Sequence, residues 1–137
     1  MTYIPEILRQ EVAERAEYRC EYCLIHQADS LYKHEIDHII PEQHRGKTLS
    51  ENLCLACLEC NRNKGANFAS FDPETNQVTL LFNPRKDEWE KHFRLDGAVI
   101  IPMTAEGRVT VFLLKLNDEM RLRSRRILVG VGRYPPK

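Results

Sequence analysis

The feature that most constrains this chain is the placement of its five cysteines at positions 20, 23, 54, 57 and 60. Cys20 and Cys23 form one C-x-x-C turn, and a second turn is offered twice, by Cys54/Cys57 and by Cys57/Cys60. Two such turns let four thiolates reach one tetrahedral Zn²⁺ at ~2.3 Å. An odd number of cysteines without a secretion signal also argues for metal binding over disulfides. The first nineteen residues alternate acids, bases and short apolar stretches with no continuous apolar core, so a cytoplasmic protein is expected. No apolar run approaches the ~18 residues of a membrane span.

Cys54 falls in the apolar run NLCLAC, whereas Cys57 and Cys60 bracket the turn that follows. The zinc set is therefore expected to be Cys20, Cys23, Cys57 and Cys60, with Cys54 a buried small hydrophobe and the alternative ligand. A site closed by four thiolates builds structure and leaves no open position for chemistry. Function has to lie in the 33 residues between Cys23 and Cys57.

The pattern along the chain predicts an α+β fold. PEILRQEVAERAEY (5–18) reads as a helix, with Pro5 in its first turn and Ile7, Leu8, Val12 and Ala16 on one face. LYKHEIDHIIP (31–41) and NLCLAC (52–57) read as strands around a polar loop, and a short helix follows and stops at Gly65. Beyond it, FDPETN (71–76) reads as a turn and QVTLLF (77–82) as a strand. NPRKDEWEKHF (83–93) leads into a short helix in which Trp89 and Phe93 are core. AVIIP and RVTVFLL read as strands bridged by MTAEG, and 117–129 as a closing helix with Asn117 as N-cap and Leu116, Met120, Ile127 and Leu128 as its apolar side. The tail from 130 is expected to fray. Two regions result, a core over 1–66 and a strand-rich extension over 67–137 expected to pack on it as one unit.

Between the two cysteine turns stand Asp37-His38, Asn52 and Asn61, in the runs DHIIP, NLCLAC and CNRNK. In this order the segment 18–66 resembles the HNH endonucleases, the ββα-metal nucleases with four zinc-binding cysteines. The resemblance implies a structural zinc and a metal-dependent cut in DNA that leaves a 5′-phosphate and a 3′-hydroxyl. His38 corresponds to the general base, a role suited to the one side chain that titrates near neutral pH. Asp37 and Asn61 correspond to the ligands of the catalytic ion, and their hard oxygens favour Mg²⁺ or Mn²⁺. Asn52 corresponds to the residue that orients the imidazole across the hairpin. Adjacent strand residues face opposite ways, so Asp37 and His38 can share a site only if the strand is locally distorted.

Net charge is zero, yet residues 115–137 carry seven bases and two acids. That excludes a uniformly basic nucleic-acid binder and leaves basic edges. Arg45, Lys47, Arg62 and Lys64 beside the expected site, and Arg121 and Arg125 on the closing helix, are the candidate phosphate contacts. No sequence-reading module is present, so the expected partner is double-stranded DNA bound with little sequence preference, with RNA not excluded. The competing reading is a non-catalytic zinc-knuckle module that binds nucleic acid or a protein. His34 reads as a solvated strand residue, His44 lies in the broad loop, and His26 and His92 belong to no constellation.

Overall fold

The computed structural model describes residues 3–137; the first two residues of the expected core lie outside it. The fold is mixed α and β, built from short helices and three two-stranded antiparallel sheets. The chain divides into two compact units, one running to Phe68 and including Asn83–Arg85, the other comprising Ala69–Phe82 and Lys86–Lys137. Among the described residues, no helix is long and apolar enough to cross a membrane.

The first unit begins with α1 (Glu6–Arg15), entered at Pro5 and carrying Glu6 in its first turn, where a negative charge meets the positive helix end. Val12 is fully buried against Ile4, Leu53 and Leu55, with Leu8, Ala13, Ala16 and Ile36 around them. Ile7, expected on this face, points to solvent. β1 (Glu35–His38) and β2 (Leu53–Ala56) form the antiparallel hairpin under the helix, in the register Ile36↔Leu55, Asp37↔Cys54 and His38↔Leu53. Arg15 ties helix to hairpin, donating to Leu53 O at 2.8 Å and to Ser50 Oγ at 2.8 Å. The first cysteine turn docks on β2 through Glu21, whose N–H donates to Leu55 O and whose carboxylate accepts from Leu55 N, each at 2.8 Å. α2 (Leu58–Lys64) follows β2 directly and ends at Gly65, which has φ of +54°.

The second unit departs from the pattern-based expectation in one whole element. RVTVFLL does not form a strand: Ala105–Leu113 is a helix, α4. Its β-branched run favours a strand by propensity, but Thr104 caps the helix by accepting from Gly107 N at 3.0 Å. Val109 and Thr110 are buried while Phe112 is exposed, which is helical sidedness and not alternation. Gly107 permits close packing, since a Cβ there would stand 2.4 Å from His92 O. The strands of this unit are β3 (Ala69–Asp72), β4 (Gln77–Leu80), β5 (Phe93–Asp96) and β6 (Val99–Pro102). β3 takes Phe71 and Asp72 out of the expected turn, and β6 pairs with β5. The short α3 (Trp89–His92) stacks Trp89 on Phe93 at 5.0 Å between ring centres, and Phe82 meets Phe93 at 5.4 Å.

α5 (Glu119–Gly130) is a helix as expected, with a different inner face. Met120 and Ile127 are 70% and 65% exposed, and the buried residue is Arg125, 1% exposed. Its guanidinium donates to Ala98 O at 2.8 Å and to Asn117 Oδ1 at 3.0 Å. Asn117 is not the N-cap; it accepts from Ile100 N and donates to Ile100 O, holding the edge of β6, and Asp118 takes the cap position. Tyr134 is buried, so the tail is packed at least that far.

Arg108 grips the buried Asp72 with two parallel bonds, Nε to Oδ1 at 3.0 Å and an Nη to Oδ2 at 2.9 Å. The guanidinium holds the Asp72 carboxyl well below its ordinary value of 3.8. A depressed carboxylate pKa stabilises the folded state above the ordinary value, and that stability is lost as pH falls through the folded one. Asp72→Asn should therefore lower the melting temperature at neutral pH. The gap to the wild type should close as pH drops below about 4, as read by calorimetry across a pH series.

Candidate functional site

The two cysteine turns meet. The Sγ atoms of Cys20, Cys23, Cys57 and Cys60 lie within 4.8 Å of one another, all buried and none in a disulfide. Cys23 and Cys57 approach to 3.7 Å, close to the sulfur separation of a tetrahedral Zn–S₄ centre. α2 supplies two of the four thiols: Cys57 sits at its N-cap, where its sulfur accepts from Cys60 N at 3.4 Å, and Cys60 lies one turn on. Cys54 stands apart. Its thiol donates toward Tyr22 Oη at 3.5 Å and Asp37 Oδ2 at 3.6 Å, and burial pushes its pKa well up. The cluster is thus compatible with structural zinc and leaves Cys54 outside it. Cys57→Ser should bring bound zinc from about one per chain to a small fraction and lower the melting temperature, while Cys54→Ser keeps its metal. Elemental analysis of both variants checks this.

On the hairpin lies a cleft of about 520 Å³, lined among others by Glu35, Asp37, His38, Glu42 and Asn61. β1 keeps its pairing register through His38, so the expected break in the strand is absent, yet Asp37 and His38, neighbours at the end of β1, both line this cleft. Asp37 is only 5% exposed. It accepts from Tyr22 Oη at 3.0 Å and from Lys64 Nζ at 3.2 Å, and burial raises its pKa while the Lys64 ammonium pulls it back down. Lys64 also donates to His38 O at 2.9 Å. Expected as an exposed phosphate contact, Lys64 is 1% exposed and committed to this network, because a buried carboxylate requires a partner charge.

Asn61 and Glu35 meet across the cleft, with Asn61 Nδ2 donating to Glu35 Oε1 at 2.8 Å. A carboxylate only accepts, so the bond fixes the amide's orientation and leaves Asn61 Oδ1 free of it. Asn52 does not reach the imidazole. Its Oδ1 accepts from Ile40 N at 2.9 Å and its Nδ2 donates to Ile40 O at 3.0 Å and to Lys47 O at 2.9 Å. It lies beyond His38 along the hairpin, where its amide serves Ile40 as a strand neighbour would. The side chain that does meet the imidazole is Thr48, whose Oγ1 is 2.9 Å from His38 Nε2.

Among the candidate phosphate contacts, Arg45, Lys47 and Arg62 are exposed. Arg125 is withdrawn from that role by its burial, and Arg121 donates to Leu114 O at 2.7 Å. His34, expected in solvent, is buried with Nε2 on Ile25 O at 3.0 Å. Of the residues sequence reasoning missed, Glu35 had a signal: it stands two positions before Asp37 and so on the same strand face. Tyr22 had only its place between two cysteines, and Thr48, in an irregular loop, had none.

Residues 20–67 match the HNH endonuclease family, and this segment is an HNH domain, the class whose members are nucleases. Septu protein PtuB of Bacillus thuringiensis is 24% identical over 125 residues, which cover 90% of this chain and 46% of that protein. The chain thus spans about half the length of this relative. No solved structure matches it significantly.

Proposed function

We propose that the HNH domain hydrolyses phosphodiester bonds of DNA, with His38 as general base and one divalent ion held at Asp37 and Asn61. The observation that carries the reading is the cleft in which His38 opens beside Glu35, Asp37 and Asn61, within the segment that matches the family. The donors fit the ion: carboxylate and amide oxygens are hard ligands that suit Mg²⁺ or Mn²⁺, and Glu35 holds the Asn61 amide so that its oxygen is the available atom. When bound, such an ion supplies Lewis-acid stabilisation to the scissile phosphate and the departing oxygen. Cys20, Cys23, Cys57 and Cys60 would hold the structural zinc.

His38 takes a proton from water as the resulting hydroxide forms its bond to phosphorus. The P–O3′ bond breaks with its electron pair on the 3′ oxygen, which takes up a proton from solvent, leaving a 5′-phosphate and a 3′-hydroxyl. Arg45, Lys47 and Arg62 contact backbone phosphates, which carry no sequence information, so the duplex is read weakly. The likeness to Septu protein PtuB extends beyond residues 20–67, which supports treating the second unit as part of the same nuclease.

One observation favours the competing reading of a binding module without chemistry: the Asp37 carboxylate already has a buried cation, Lys64. A supercoiled-plasmid assay with Mg²⁺, Mn²⁺ or EDTA decides between them. Cleavage should require the divalent ion, and His38→Ala should reduce it by at least ~10²-fold with zinc content unchanged. Intact DNA with the folded, zinc-loaded wild type on plasmid, single-stranded DNA and RNA alike would favour the binding module. Cleavage that survives His38→Ala would remove His38 from the mechanism.

A further inference from the structure

The loop between the strands of the HNH hairpin is built to a tight tolerance at one end. Asn52 pins Ile40 and Lys47 with three side-chain bonds. Gly46 donates its N–H to Pro41 O at 3.0 Å, and a Cβ on Gly46 would stand 1.6 Å from Ile40 O, so no larger residue fits without moving the loop. Arg45, at φ +70°, completes the reversal that makes this approach possible. The residue delivered immediately after the clamp is Thr48, and its hydroxyl lies 2.9 Å from Nε2 of the His38 ring.

A neutral imidazole has one N–H and one lone pair, and the partner of the first decides where the second lies. We propose that Thr48 is the positioning residue of the general base: its hydroxyl accepts from His38 Nε2–H, holding the ring in that tautomer and leaving Nδ1 to take the proton from water. The clamp of Asn52 and Gly46 acts through Thr48, which explains why Asn52 can occupy its place in the HNH pattern without touching the imidazole. The inference rests on His38 as the base, and its structural half is testable without any reaction.

Thr48→Val keeps the shape of the side chain and removes the hydroxyl, whereas Thr48→Ser keeps the hydroxyl. Nitrogen-15 NMR of the histidine rings in the metal-free-buffer, zinc-loaded protein reads the tautomer directly. The wild type and Thr48→Ser should show His38 as the Nε2–H form, and Thr48→Val a mixture with the Nδ1–H form. In plasmid cleavage, Thr48→Val should lose about 10- to 100-fold in kcat with KM within about 2-fold, and Thr48→Ser should recover most of the loss. Thr48→Ala serves the same comparison if the valine variant does not fold. An Nδ1–H form in the wild type, an unchanged tautomer in Thr48→Val, or a loss confined to KM would overturn the assignment. A wild type that cuts no nucleic acid but shows the expected tautomer shift would instead remove the nuclease reading, and with it the catalytic half of this proposal.

Discussion

The convergence of four thiols is the constraint on which the HNH unit depends. Cys23 and Cys57 are separated by 33 residues, and closing a loop of that length costs about 3 kcal/mol in chain entropy before any local contact forms. The apolar core beneath the hairpin is small, with four buried aliphatic residues at its centre. A metal held by these thiols, binding only the folded arrangement, would add its binding free energy to folding and so offset a small core. Glu21 gives the convergence its register. By pairing with Leu55 in both directions it places Cys20 and Cys23 against the strand that leads to Cys57 and Cys60.

The same geometry creates a polar interior. Asp37 lies opposite Cys54 in the hairpin, on the face turned toward Tyr22 and α2, and the buried carboxylate is tolerable only because Tyr22 and Lys64 satisfy it. Lys64 then does two things at once, neutralising Asp37 and holding the carbonyl of His38. The thiol cluster, α2 and the end of β1 are thereby one connected structure. A change in where α2 sits would be felt at both Asp37 and the His38 backbone, since one ammonium bonds both.

What the sequence made legible follows from how local each signal is. The cysteine spacings, the hairpin around its polar loop and the stop of α2 at Gly65 are each written within a few residues, and they were readable. The segment 108–114 shows the limit: Val109-Thr110-Val111 has strand propensity, and Thr104 two positions before Glu106 marks the helix start that overrides it. Burial of Arg125 and Lys64 was not readable either. A long cation looks the same in sequence whether it faces water or a carbonyl, and its partners, Ala98 and Asn117 or Asp37 and His38, are far away along the chain. For Asn52 the position in the pattern was legible and its contacts were not, because they depend on how the chain between His38 and Leu53 closes.

These inward commitments bear on how the domain would meet nucleic acid. Of the six cations that the sequence offered for phosphates in or near the motif and on α5, Lys64 and Arg125 are buried, and Arg121 is bonded to backbone carbonyls. Of those six, the ones exposed on the HNH unit are Arg45, Lys47 and Arg62. With each neutralised phosphate contributing a salt slope of about 0.9, three such contacts would give a shallow electrostatic dependence and modest affinity from charge alone. In the proposed reaction, orientation of the scissile phosphate then falls to the cleft itself and to the ion at Asp37 and Asn61, with little help from a broad basic surface. An enzyme of this proposed kind would read only the backbone, and its discrimination between substrates would rest on access to the cleft more than on the sequence of the strand that enters it.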